Sequence, residues 1–235
     1  GNQVFTALLY VPRRAPMFEM ENDRRGVRLF VKRVFIMDDC RELLPPWMRF
    51  VRGVVDSDDL PLNVSRETLQ DSSIVRTIKK QLTKKTLDML DELAKDRGAD
   101  YLTFWRAFGP VLKSGVHLEP EHKARIAALL RYETTNEGEG LTSLAGYVSR
   151  MKDGQKAIYY ATGTSRALLD SSPHLEALKK RGYEVLFMTD GVDPFAVASL
   201  REFDGKPLVS AMDENLELGE EELTEEQRAA ENEQK

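Results

Sequence analysis

The sequence predicts an α/β protein in two parts. A strand-rich first unit closed by a long helix is joined by a helical connector to a smaller three-layer α/β unit with a largely parallel sheet, and an acidic segment follows. Three observations carry this reading. The run VRLFVKRVFIM at 27–37 is dense in β-branched and aromatic residues. From residue 73 to about residue 130, apolar residues recur at helical spacing. After residue 141, helix-like and strand-like segments alternate, which is the pattern of a parallel sheet.

In chain order, FTALLYVP (5–12) is a short apolar run stopped by Pro12 and reads as a buried strand. RRAPMFEMENDRRG (13–26) reads as a charged loop with room for one helical turn. VRLFVKRVFIM carries large side chains on both faces, so it is expected as a central strand. RELLPPWMRFVRGVV (41–55) starts as a short helix that breaks at Pro45 and Pro46. Trp47, Phe50 and Val51 then form an apolar stripe, and Val54 and Val55 read as a short strand.

The long helix places Ile74, Ile78, Leu82, Leu87, Leu90 and Leu93 on one face, with Ser72 or Ser73 as its cap and Gly98 as its close. ADYLTFWRAFGPVL (99–112) and PEHKARIAALLRYET (120–134) read as two further helices, broken by Gly109–Pro110 and by SGVHLEP (114–120). In the last part, helix LAGYVSRM (144–151) leads to strand AIYYAT (157–162). Helix PHLEALKKRG (173–182) follows, with Ser172 as cap and Gly182 as stop, and then strand YEVLFMTD (183–190). Helix PFAVASLREF (194–203) is expected with Asp193 as its cap, and a short strand PLVSA (207–211) ends the series. From 213 to 235 acids outnumber bases and large apolar residues nearly vanish, so this reads as a solvated linker.

Composition excludes several classes. With 235 residues and 41% hydrophobic residues, the chain is long enough to bury a sizeable core. A net charge of −5 gives no basic field for nucleic acid. The longest apolar runs are too short for a membrane span. A single cysteine, Cys40, allows no internal disulfide and suits a reducing compartment. The chain opens GNQVF, without Met and without a signal-peptide pattern, and reads as a piece of a longer protein.

The search for chemistry is mostly negative. There is no G-x-x-x-x-G-K-[ST] phosphate loop and no G-x-G-x-x-G after a strand, and GEG at 138–140 reads as a loop. His117, His122 and His174 lack metal-ligand spacing, so no metal site is expected. Cys40 has no paired cysteine or neighbouring histidine in sequence and reads as a passive thiol. GTSRA (163–167) lacks the second glycine of a nucleophile elbow. The aromatics of YLTFWRAF (101–108) read as core rather than as a partner surface. The strand ends of the second unit are its ligand-prone edge, but no glycine fingerprint supports a nucleotide there.

One stretch stands apart. DSDDLPLNVSRETLQDSS (56–73) places Arg66 where a helix begins, although a helix start favours an anion. Pro61, Asn63 and Ser65 are turn and cap formers that give the loop a defined shape, and Gln70 lies one helical turn beyond Arg66. From the residues alone, a salt bridge from Arg66 to Asp58, Asp59 or Glu67 is the simpler account. The alternative is a guanidinium displayed to grip a phosphate through parallel hydrogen bonds.

LPLNVSRETLQ closely resembles the catalytic-loop signature of the heat-shock protein 90 chaperone family. ALLYVPRRAP, LFVKRVFIMDD, RFVRGVVDSDDLPLN, LLRYETT, YVSRMKDGQKAIYYATG and EFDGKPLVS resemble the same family in order along nearly the whole chain. The resemblance is to the middle segment, in its bacterial cytoplasmic form.

It implies a larger αβα sandwich unit over 1–97, trimmed at its start, a helical connector over 98–140, a smaller αβα unit over 141–212 and an acidic linker over 213–235. It also implies an ATP-dependent chaperone. The family's catalytic arginine matches Arg66 and its accompanying glutamine matches Gln70. Arg66 is then expected to reach the γ-phosphate of a Mg-bound ATP held by a separate N-terminal domain. Asn63 and Ser65 shape the loop, and Arg33 supports it by pairing with an acid.

The implied partners are that N-terminal ATPase domain, a C-terminal dimerisation domain, unfolded client proteins and cochaperones, without nucleic acid or membrane. This segment alone is expected to be monomeric, to bind no nucleotide tightly and to be inactive as an ATPase, while the full-length protein is a homodimer. Two rival readings are an interaction scaffold without a catalytic role and a free-standing α/β enzyme using the second unit's strand ends. An Arg66 buried in a fixed ion pair favours the scaffold; an exposed one beside Gln70 favours the chaperone.

Overall fold

The structure, a computed structural model, describes residues 4–15, 26–136, 140–213 and 216. Most of the charged loop at 13–26, part of GEG and nearly all of the acidic segment therefore lie outside the described residues.

β1 (Phe5–Tyr10), β2 (Val27–Val31), β3 (Val34–Met37) and β4 (Arg52–Ser57) form a sheet in the order β1-β4-β2-β3. β4 runs antiparallel to β1 and parallel to β2, and β2 and β3 form an antiparallel hairpin. The run 27–37 is thus two strands rather than one. Lys32 and Arg33 adopt φ of 50° and 66°, the left-handed backbone that a tight hairpin turn requires. Composition shows β preference but not a reversal made by two non-glycine residues.

β1, expected as buried, is an edge strand whose outward Leu8 is 69% exposed. Strand alternation gives it one inward face, with only Phe5 and Leu9 partly buried. Gly53 of β4 has φ +146°, and a Cβ there would lie 2.0 Å from the Leu8 carbonyl oxygen, so the β1–β4 approach requires glycine.

Leu43, Trp47 and Met48, carried by the short turns Arg41–Leu43 and Pro46–Met48, are buried beneath the sheet's inner residues in one cluster with the helices. The helices are α1 (Arg66–Gln70), α2 (Ser73–Asp96), α3 (Gly98–Leu118) and α4 (Lys123–Leu129). Ser72 caps α2, its Oγ accepting from the Val75 N–H. Gly98 opens α3 rather than closing α2, and the chain turns at Arg97 alone (φ −136°, ψ 57°).

Gly109–Pro110 does not break α3. Proline removes one intrahelical bond, but Phe104, Trp105, Phe108 and Leu112 are buried along the same helix, and that packing outweighs the loss. The expected helix through residue 134 ends at Leu129, and the chain enters a short strand, β5 (Glu133–Thr134).

The second part contains α5 (Leu144–Ser149), β6 (Ile158–Thr162), α6 (Arg166–Asp170), α7 (Glu176–Lys180), β7 (Val185–Met188), α8 (Asp193–Leu200), β8 (Glu202–Phe203) and β9 (Lys206–Ser210). Its sheet has the order β5-β7-β6-β9-β8. The central strand β6 is parallel to both β7 and β9, and the short edges are antiparallel. Alternate residues feed two cores. Ile158, Leu186 and Met188 join the cluster that runs through the first sheet and α2–α4, whereas Tyr159, Ala161, Val185 and Phe187 pack with Leu175 and Leu178 on the other face. This makes the second unit three-layered. Asp193 is not the cap of α8; Val192 takes that position, and Asp193 is fully buried inside the first turn.

Candidate functional site

The stretch 56–73 leaves the end of β4 and crosses an exposed turn into α1. Its base is fixed by Ser57, which is fully buried. The Ser57 carbonyl accepts from the Lys32 N–H (3.1 Å), and its Oγ accepts from the Leu60 N–H (3.3 Å). The Arg33 N–H donates to Asp56 Oδ1 at 3.1 Å. Arg33 therefore supports the loop through its backbone. Its exposed side chain makes no ion pair among the described residues, because the left-handed turn turns the amide, not the guanidinium, toward the acid.

Ser65 caps α1 in a reciprocal pair. The Thr68 N–H donates to Ser65 Oγ (3.3 Å), and the Ser65 N–H donates to Thr68 Oγ1 (2.8 Å). Leu69, fully buried, pins the short helix to the core. Asn63 stays exposed in the turn, and its side chain makes no hydrogen bond among the described residues. Arg66 and Gln70 stand at the two ends of α1, both exposed.

Arg66 forms no salt bridge to Asp58, Asp59 or Glu67, contrary to the simpler account from the residues alone. Its Nη2 donates to the backbone carbonyl of Asp39 (3.1 Å). Asp59 instead accepts from the Val4 N–H (2.7 Å). A carbonyl orients the guanidinium without neutralising it, so a full positive charge remains at the surface beside Gln70.

The segment holding that carbonyl is itself anchored. The Cys40 N–H donates to the Val27 carbonyl at 2.9 Å, and the Asp39 carboxylate accepts from Arg41 Nε at 2.9 Å. Cys40 is buried, and burial, aided by the nearby Glu42 carboxylate, pushes its thiol up to about 12. That suits a passive thiol, since reactivity needs the thiolate. A cavity of about 340 Å³ borders the same segment, lined by Val27, Asp39, Cys40, Leu44 and Met48 among others.

The remaining candidates separate from this site. GTSRA is a helix cap: Ser165 Oγ accepts from the Leu168 N–H, and a Cβ on Gly163 would meet Leu169 Cδ2 at 2.7 Å, so no space opens above the strand end. A polar cavity lined by Thr135, Arg150, Lys179 and Glu184 lies at the amino end of β7, away from the ligand-prone carboxyl ends. Among the described residues no group of three or more His, Cys, Asp and Glu could hold a metal ion. At this surface the Arg66 guanidinium can offer a charged contact to an anion.

Comparison with known proteins decides the family. A model of the Hsp90 protein family matches residues 1–235. The chain is 63% identical over 218 residues to the chaperone protein HtpG of Myxococcus xanthus, covering 93% of this chain and 33% of that one. It is 52% identical to the chaperone protein HtpG of Magnetococcus marinus, covering 97% of this chain and 37% of the relative.

The chain belongs to the Hsp90 family.

It spans about a third of the length of these HtpG relatives. Its fold matches the middle domain of a Plasmodium falciparum heat shock protein with a TM-score of 0.79 and 34% identity, over 91% of this chain and 84% of that domain. The Hsp90 middle-domain fold agrees with the α/β architecture expected from the sequence. No helix among the described residues is long and apolar enough to cross a membrane.

The sequence singled out Arg66 and Gln70 as candidates. It could not single out the Asp39 carbonyl that orients Arg66, because a backbone oxygen 27 residues away leaves no mark in residue type.

Proposed function

We propose that this chain is the middle segment of an ATP-dependent, cytoplasmic Hsp90 chaperone, and that Arg66 completes an ATPase site whose nucleotide is held by a separate N-terminal domain. One observation carries the reading. Arg66 is an exposed arginine on a capped turn, held by a neutral carbonyl and without an acidic partner among the described residues. A guanidinium fixed in this way loses little freedom when it meets phosphate oxygens, and its planar N–H groups can donate two parallel bonds.

When bound, Mg-ATP supplies the phosphoryl group that is transferred to water. Arg66 donates hydrogen bonds to the γ-phosphate oxygens as negative charge develops there. Gln70, one turn away, is a second donor on the same short helix. Ser65 caps the loop that meets the N-terminal domain, and Asn63 stands exposed within it. Clients and cochaperones engage other surfaces of the segment, and a C-terminal domain makes the full-length protein a homodimer.

The test uses the full-length protein with Arg66→Ala. ATP affinity should change little, while turnover falls at least about tenfold; a contact of this type supplies on the order of a thousandfold elsewhere, and slow domain closure limits the visible loss. Arg66→Lys should recover only part of the rate. The melting temperature should stay within about 2 °C, as for an exposed side chain. Preserved turnover, or a large drop in melting temperature, would refute the assignment.

A further inference from the structure

Buried where α3 meets α8 is a charged cluster that plays no part in the Arg66 site. Lys113, in the middle of α3, has a side chain only 4% exposed. Its Nζ donates to Asp190 Oδ2 at 2.7 Å and lies 2.8 Å from Asp193 Oδ1. Asp193 is fully buried, and Oδ1 has no hydrogen-bond partner, so the charge of Lys113 is its compensation among the described residues. Its other oxygen closes its own turn, accepting from the Asp190 N–H at 2.9 Å. The ring of Tyr132, from the strand-entry segment after α4, faces Nζ at 4.6 Å, and Trp105 of α3 faces it at 5.7 Å. Three parts of the chain therefore converge on one ammonium: the connector helix, the entry into β5, and the β7–α8 turn.

Such a cluster is a poor way to gain stability. Taking a lysine and an aspartate out of water costs several kcal/mol per ion, and apolar residues of the same size usually do as well or better. The α3–α8 seam already has apolar packing, with Leu112 and Val116 facing the cluster that contains Ala196, Val197 and Leu200. Apolar surfaces resist separation, but they tolerate sliding and repacking. An ammonium placed between two carboxylates and over an aromatic face has one position.

We infer that the Lys113–Asp193 pair, with Asp190 at its rim, is a register pin that locks the second α/β unit to the connector helix. The two units then move as one rigid body, and a displacement of the second unit carries the first, with its loops, along with it. Lys113 and Asp193 are positioning residues in this scheme and touch no ligand. The inference does not depend on the role of Arg66.

The test uses the whole chain, with spin labels on cysteines introduced at the exposed positions Lys84 on α2 and Glu202 on β8. Buried Cys40 should remain unlabelled. Three proteins are compared: the parent, Lys113→Met, and Lys113→Met with Asp193→Leu. In Lys113→Met the unfolding equilibrium constant should rise by about 100-fold or more, because Asp193 is left buried and uncompensated. The double variant should recover most of that loss in urea, short of the Asp190 N–H bond that Asp193 supplied. Its interlabel distance distribution, from double electron–electron resonance, should nonetheless be at least about twice as broad as the parent's, since packing alone permits several registers. A double variant with the parental width would overturn the pin, because the apolar seam would then suffice. So would a Lys113→Met effect below about fivefold, or a double variant as unstable as Lys113→Met. If Lys113→Met does not fold, the double variant alone still decides the matter.

Discussion

Replacing Tyr147 by Phe removes one oxygen atom, and its cost follows from what that oxygen holds. Tyr147 lies on α5 with its ring buried. The hydroxyl donates to the Glu184 carbonyl at 2.5 Å. It accepts from Gln155 Nε2 at 2.9 Å and from the Tyr159 N–H of the central strand β6 at 3.0 Å. Gln155 keeps a second acceptor, the Ala157 carbonyl, at 2.9 Å. Phenylalanine fills the same space, so no cavity term arises. The loss is therefore one buried backbone N–H and one part-buried carbonyl left short of a partner, and one amide partly released. An orphaned buried group costs about 1–3 kcal/mol, which puts the total near 2–4 kcal/mol. For a chain of this size that corresponds to about 4–16 °C in melting temperature. The assay is urea unfolding followed by fluorescence, with Tyr183→Phe as control. Tyr183 stacks on Tyr159 with ring centroids 5.8 Å apart, and its hydroxyl has no hydrogen-bond partner among the described residues. The control should change stability by less than about 0.5 kcal/mol. A Tyr147→Phe effect below about 1 kcal/mol, or one equal to the control, would refute the hub.

Alkaline pH should unfold the protein early and cooperatively. Burial pushes the Cys40 thiol up to about 12 and raises the Tyr132, Tyr101 and Tyr147 phenols above their ordinary value near 10. These groups deprotonate more easily when unfolded, so their contribution is intact below about pH 8.5–10 and is lost as pH rises through the raised values; each can remove up to about 1.4 kcal/mol per pH unit. Urea midpoints measured from pH 7 to 11 should therefore fall steeply above pH 9, and a flat profile would contradict the burial argument. Pro110→Ala should stabilise the chain by about 1–3 kcal/mol, because Pro110 sits exposed inside α3 and alanine restores an intrahelical bond; a destabilised variant would show that α3 needs the proline's bend.

Sequence by itself determined the class of each long element and singled out an arginine at a helix start, while the structure decided that this arginine is exposed. Ile78, Leu82, Leu87 and Leu90 recur at helical spacing and are buried on α2, and Trp47, Phe50 and the aromatics of 101–108 are core, because periodic burial of apolar area is a local pattern that residue type records. The parallel core of the second unit was legible through the alternation of helix-like and strand-like segments after residue 141. What only the tertiary structure decided concerns single bonds between distant residues. The hairpin at Lys32–Arg33, the uninterrupted α3 across Pro110 and the carbonyl of Asp39 under Arg66 each depend on a neighbour supplied by folding. Asp193 shows the limit most plainly. Before Pro194 it has the local features of a cap, yet Lys113, 80 residues earlier, draws it into the interior. Local propensities differ by about 1 kcal/mol, whereas burying a charge without its partner costs several, so the tertiary term overrides the local one.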